Sequence, residues 1–269
     1  MSTRSIAARR QRRREILLGA LALVVALIMA GAALALFLGN KDSALDPETL
    51  CPLAGAKGHV ILLVDTTDPF NFTQKQAFMQ YVAEFGRGKV MDGELLSVFA
   101  LGEDFISNAK PVFEMCNPGR GDDKSIWTSN PEKLRKLFDD RFNTPMTHLA
   151  DRLAGSAPSP NSPIMEMLQL VAINGFRSRN IPGPRHLFVV SDMLQNTPVF
   201  SQYRGETEFK DFKNTALFQK VRTDLAKVDV ELAYLLTNPQ RQNRRHLKFW
   251  EDYFQELGAA VVSVHLLEG

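Results

Sequence analysis

Two hydrophobic rhythms divide the chain. Ile16–Leu38 is a run of 23 residues without a charge. At about 1.5 Å per helical residue such a run crosses a bilayer core of roughly 30 Å. After it, apolar residues return in short blocks. Val60–Val64 holds five in a row, the pattern of a strand buried on both faces. Arg185–Met193 repeats that pattern, and Leu95–Leu101, Val228–Leu236 and Ala260–Leu267 read as further strands. Between the blocks the spacing is helical: Phe78, Val82 and Phe85 in Phe72–Phe85; Leu134, Leu137 and Phe138 in Leu134–Phe142; Ile164, Leu168, Val171 and Ala172 in Ile164–Asn174. Phe218, Val221 and Leu225 mark another helix, and Leu247, Trp250, Phe254 and Leu257 the last.

Punctuation residues refine this order. Gly86 and Gly88 are expected to end the first of these helices, and Gly258 the last. Thr144-Pro145 reads as a fresh helix start, running to about Ala154. Pro111–Cys116 follows its neighbouring strand too closely for a crossover helix, so that pair is antiparallel. Strands alternating with helices then give an α/β fold, a doubly wound, mostly parallel six-stranded sheet of Rossmann-like kind with one antiparallel strand. Two polar stretches interrupt it. Asn117–Glu132 contains Arg120-Gly121-Asp122, a tripeptide far more often fortuitous than adhesive. Asn196–Asn214 carries Phe200, Tyr203, Phe209 and Phe212, and is either a binding element or a packed excursion.

Charge gives the address. Six arginines precede the apolar run, at positions 4, 9, 10 and 12–14. Ala30-Gly31-Ala32 offers a cleavage site, but the run exceeds the roughly 7–15 residues of a signal-peptide core. The pattern is an uncleaved signal anchor with its N-terminus in the cytoplasm. The expected layout is an arginine-rich tail at 1–15, an anchor through the lipid bilayer at 16–38, a linker at 39–57 and an exported domain at 58–269. In a Gram-negative bacterium that means the inner membrane, with the domain in the periplasm. The overall charge of +2 hides an asymmetry: residues 1–40 carry six Arg and one Glu, which leaves the remainder at −3. That balance excludes a nucleic-acid-binding bulk. Cys51 and Cys116 both fall in the exported part. A disulfide is the default in an oxidising compartment, and two distant cysteines do not make a zinc site.

The candidate chemistry lies just past strand ends, where open α/β sheets place their working groups. Asp65-Thr66-Thr67-Asp68-Pro69 follows Val60–Val64, Ser162 precedes a helix, and Asp192 ends the VVSDM strand. Taken alone, Asp65 and Thr67 are ordinary turn and helix caps. Together with Ser162 and Asp192 they form a hard-oxygen set suited to Mg2+ or Mn2+.

On these residues and this order of elements, Gly58 to Leu267 resembles the von Willebrand factor A family. The resemblance implies a doubly wound sheet whose antiparallel strand lies at the edge. It also implies a metal-ion-dependent adhesion site of the form Asp-x-Ser-x-Ser, with a Thr before a middle helix and an Asp after the fourth strand. Asp65 and Thr67 match the first two positions, Ser162 stands for the Thr, and Asp192 matches the last. Pro69 stands where the final serine belongs and has no ligating group. That departure leaves metal retention open and gives Asp68 a possible part. The resemblance further implies that Cys51 and Cys116 lie at one edge of the sheet, opposite the metal site, and are bridged. It suggests a partner carboxylate as the ligand, carried by another envelope or membrane protein.

Arg241, Arg244, Arg245, His246 and Lys248 follow the strand ending at Leu236. Cations oppose the dipole at a helix N-terminus, so this cluster is either a partner-binding rim or a solvated run. The leading expectation is a membrane-anchored binding or scaffolding domain that is not an enzyme. The alternatives are a phosphohydrolase of haloacid-dehalogenase-like type, whose second aspartate is Thr67 here, and a purely structural envelope component without metal.

Overall fold

The computed structural model describes residues 17–32, 44–104, 108–122, 130–205 and 208–267. The chain forms two units, Met1–Ala44 and Leu45–Gly269. In the first, residues 17–32 are a helix, α1, with exposed Leu, Val, Ile and Met side chains. Among the described residues no helix is long and apolar enough to cross a membrane. The arginine tail, Ile16 and residues 33–38 of the expected anchor lie outside the described residues.

The second unit is an α/β domain. Its sheet has six strands in the order β3-β2-β1-β4-β5-β6. They are β1 His59–Asp65, β2 Leu95–Leu101, β3 Phe113–Cys116, β4 Arg185–Ser191, β5 Val228–Leu235 and β6 Ala260–Leu267. All pairings are parallel except β2 with β3, which is antiparallel and places β3 at the edge. All seven residues of β1 are buried. Each of its large aliphatic side chains contributes about 1.5–3 kcal/mol by leaving water.

Helices cover both faces. On one lie α2 (Phe72–Gly88) and a path from Pro131 to Ala154, made of α3 (Pro131–Leu137), a π-helical turn (Phe138–Asn143) and α4 (Thr144–Ala154). On the other lie α5 (Ile164–Leu170) with its π-helical continuation Val171–Arg177, α6 (Phe209–Phe212), α7 (Ala216–Val221) and α8 (Arg244–Glu256).

Two local expectations are corrected, and a third point left open is narrowed. Gly86 does not end α2, which runs on to Gly88 with Lys89 as its C-cap. Gly86 is buried, and a Cβ there would stand 2.9 Å from Met146 Cε, so this glycine is a close-approach point between α2 and α4. Thr144 does not cap a new helix either. Its backbone is helical and continues the preceding π turn. That wider turn lets Pro145, which has no N–H to donate, sit inside a continuous path. The Asn196–Asn214 stretch is mainly a packed excursion. Phe209 and Phe212 are buried and Phe200 packs on the same cluster around Phe249. Tyr203 stays open.

Residues 45–57 of the expected linker belong to the second unit. Leu45 pairs with Pro52, Leu50 is buried, and Cys116 N–H donates to Thr49 O at 2.9 Å. Cys51 and Cys116 form a disulfide. Cys116 lies opposite Leu95, the first residue of β2, so the bridge sits at the amino-end edge of the parallel strands.

Candidate functional site: an acidic cleft at the carboxyl ends of the strands

The fold gathers the sequence-predicted oxygens at one place. β1 and β4 are parallel neighbours with Val64 opposite Val190, so Asp65 and Asp192 emerge side by side. Asp65 is buried and four groups serve its carboxylate. Thr67 donates to Oδ1 from its N–H at 3.0 Å and from Oγ1 at 2.6 Å. Ser191 Oγ donates to Oδ2 at 2.6 Å, and Ser162 Oγ approaches the same oxygen at 3.4 Å. Ser162 is fixed by reciprocal backbone bonds with Asn196 at 2.7 and 3.0 Å.

Asp192 is also buried. Its Oδ1 accepts from Leu194 N–H at 2.8 Å and its Oδ2 from Thr237 Oγ1 at 2.7 Å. Gln242 ties the loop after β5 to this residue. Its amide nitrogen donates to Asp192 O at 3.1 Å and Leu235 O at 2.6 Å, and its oxygen accepts from the N–H groups of Thr237 and Asn238. The next residue, Met193, has φ of 59°, a left-handed conformation that costs a non-glycine residue roughly 1–3 kcal/mol. It is held by Ser191 Oγ, which accepts its N–H at 2.8 Å, and by Trp250 Nε1, which donates to its carbonyl at 2.7 Å.

The electrostatics are those of uncompensated negative charge. Burial raises the Asp65 carboxyl above its ordinary range, opposed by the hydrogen bonds from Ser191, Thr67 and Ser162. Burial, and then Asp65, push Asp192 up to about 7. Asp68 is raised by partial desolvation and then by Asp65. Among the described residues, no Lys, Arg or His makes an ion pair with these three aspartates. Asp65, Asp68, Pro69, Phe70, Gln74, Asp192, Leu235 and Thr237 line a cleft of about 10 Å³, room for a single water-sized occupant. Gln74 is buried here and forms a capping box with Asn71.

Pro69 lines the cleft and brings no donor to it. No group of three or more His, Cys, Asp or Glu among the described residues is arranged to hold a metal ion. Two buried carboxylates with Thr67 and Ser162 hydroxyls nevertheless constitute a hard-oxygen donor set, and their unpaired charge fits a cation. Ser191, Thr237 and Gln242 were not read from the sequence as site residues. The available signals were the hydroxyl adjoining Asp192 and the one directly after the β5 apolar run.

The arginine cluster lies at the same edge, after β5, but it is smaller than the sequence implies. Arg241 and Arg245 line a cavity of about 30 Å³ with Gln202, Asn243 and His246, and Arg244 opens α8. His246 is not part of a basic rim. It is buried, its Nδ1 is 2.6 Å from Tyr234 Oη, and burial lowers its pKa to about 4, so it is neutral. Lys248 is paired with Asp252. Arg120 and Asp122 of the RGD tripeptide pair with each other at 3.2 Å, and Asp122 also takes Arg135.

No family model matches the chain, and no curated protein matches it. Among solved structures, one similar chain is an aerotolerance-related membrane protein from Bacteroides fragilis, solved as a variant with multiple mutations to serines. It is 9% identical, with a TM-score of 0.34 over 77% of this chain and 90% of that one. At that degree of superposition the likeness says nothing of what this chain binds.

Proposed function

We propose that this chain is a membrane-anchored binding protein whose von Willebrand factor A-like domain holds a divalent cation, Mg2+ or Mn2+, at the acidic cleft and uses it to grip another envelope protein. The observation that carries this reading is that Asp65 and Asp192 line one cleft without a cationic side chain, with the Thr67 and Ser162 hydroxyls gathered on the Asp65 carboxylate from separate chain segments. Asp65 and Asp192 would hold the ion, with Thr67 and Ser162 as hydroxyl donors, while Ser191 and Thr237 fix the two carboxylates. The chemistry such an ion supplies is a coordination position for an oxygen of the partner's carboxylate. Phe72 and Val199, 77% and 74% exposed at the same edge, favour a protein over a small molecule. The size of the cleft and the engagement of the Thr67 hydroxyl by Asp65 argue against phosphomonoester turnover. The apolar run 16–38 supplies the anchor in this reading, with the domain in the periplasm.

The test is in-cell crosslinking of full-length wild type and Asp65→Ala, each solubilised in detergent with magnesium or with EDTA. Capture of one partner by wild type with magnesium alone supports the proposal. Capture of that partner in all four samples overturns it.

A further inference from the structure

The two edges of the sheet are built differently. β3 closes one of them with only four residues. It carries Glu114, which pairs with Arg179 at 2.8 Å, and its last N–H, that of Cys116, donates to Thr49 O. The disulfide fastens the segment around Cys51 beside it. Short, charged and covered strands are how sheets keep an edge from pairing further. β6 closes the other edge with eight residues, AVVSVHLL, and holds no Lys, Arg, Asp, Glu or Pro. Among the described residues β5 is the one strand it pairs with. Its outer row of N–H and C=O groups is therefore left for a further strand. Val262, Val264 and Leu266 alternate along it and so share a face. They remain 55%, 36% and 54% exposed, whereas β1 buries all seven of its residues. A bulge at Val262 falls near the start of β6, and Ser263–Leu267 pairs regularly with β5.

An open row of main-chain groups is satisfied by an added strand, and the charge and spacing of β6 fit a second copy of itself. Near a two-fold axis side chains meet their own kind, so a strand that pairs with itself has to be free of charge there. Within the sheet the closest charges lie on β5. Glu231, opposite Ser263, is paired with Lys89 at 2.7 Å, and Asp229 stands opposite Ala260 at the far end. Antiparallel pairing centred on Val264 sets Val264 against its own counterpart and Val262 against Leu266, so the apolar row closes on itself. On the other face the same register sets Ser263 against His265, a hydroxyl across from an imidazole. We propose that β6 pairs antiparallel with β6 of a second copy, with Val264 at the two-fold axis, joining the two six-stranded sheets into one. The pairing needs neither the cation nor the anchor.

The experiment uses the full-length chain in detergent. Its own two cysteines are bridged, so an introduced cysteine is the free thiol. Sedimentation of wild type should show a dimer. Val264→Lys should raise the dissociation constant about tenfold or more, with an unchanged melting temperature. Mild oxidation should link Val264→Cys to its counterpart, since directly opposite Cα atoms stand roughly 4.5–5.5 Å apart, within disulfide reach. Leu266→Cys should not link to itself, its two copies lying about 13 Å apart along the strands. Co-expressed with Val262→Cys, it should give the mixed link. A wild type that stays monomeric up to its solubility limit overturns the inference. So does a dimer that Val264→Lys leaves intact and Val264→Cys does not link, since its interface lies elsewhere in the chain. A link through Leu266→Cys alone sets another register and overturns it as well. Should Val264→Lys melt early, the cysteine series decides by itself.

Discussion

Ser191 Oγ lies 2.6 Å from Asp65 Oδ2, joining the last residues of two neighbouring strands. The same hydroxyl oxygen accepts the N–H of Met193. One serine therefore supports both the buried carboxylate and the left-handed turn after Asp192. Ser191→Ala should destabilise the domain by about 1–3 kcal/mol, because a buried charged acceptor loses its donor. A urea titration measures this. Asp65→Asn should soften the effect, since the neutral amide depends less on that donor.

Asp192 gives the apo protein a distinctive pH dependence. Its pKa is raised to about 7 from an ordinary 3.8. The folded state therefore holds the proton more tightly than the unfolded one. The stability this contributes is complete below about 3.8 and is lost as pH rises through about 7. On the proposed reading a cation would bind the ionised form, so the rise in Tm on adding magnesium should grow over the same window. Melting curves with magnesium and with EDTA between pH 4 and 8 check this, and Asp192→Asn should weaken the trend, leaving the part that Asp65 contributes.

His59 and His246 act with the opposite sign. Burial is the main cause in both, and each pKa falls from 6.5 to about 4. Their contribution is present above about 6.5 and is lost as pH falls through about 4. His59 Nε2 is 2.9 Å from Ser97 Oγ, while its Nδ1 has no partner. His59→Gln should lessen the loss of urea midpoint between pH 7 and pH 4.5.

β1 and β4 were legible because their cores are continuous apolar blocks. Asp65 and Asp192 were legible because each ends such a block. Glycine misled at Gly86, where the sequence signals a helix stop but the close approach of Met146 demands the absent side chain. Aromatics left the reading open at Phe209 and Phe212, since a stacked cluster and a binding loop have the same composition until Phe249 is seen to cover them. Thr237 reaches Asp192 from another strand's loop, a relationship with no periodic trace in the sequence. His246 reads as a cation in a basic run, and only its burial against Tyr234 and Met193 makes it neutral.

Gly175 offers a test of the packing that sets β1 in place. A Cβ there would stand 2.4 Å from Ile61 Cδ1. Gly175→Ala gains up to about 1 kcal/mol of helix propensity but overpacks a fully buried strand, at a cost of about 1–3 kcal/mol. The net effect should be destabilising, and adding Ile61→Val should restore part of it. Thermal melts of the two single variants and the double variant decide.

The disulfide encloses a sequence separation of 65, which on the loop-entropy model is worth about 4 kcal/mol. Replacing Cys51 and Cys116 together by serine should lower the urea midpoint accordingly. Reduction of the native protein should give a similar loss, and the serine variant should be unaffected by reductant.

The most direct test of the central claim is a calorimetric titration of Mn2+ into the full-length chain, beside Asp65→Asn and Asp192→Asn. The account predicts saturable binding of one ion by wild type, competed by Mg2+, and loss of that binding in both variants. Identical heats from all three proteins would contradict it, and would leave the buried pair of aspartates as a structural feature without a cation.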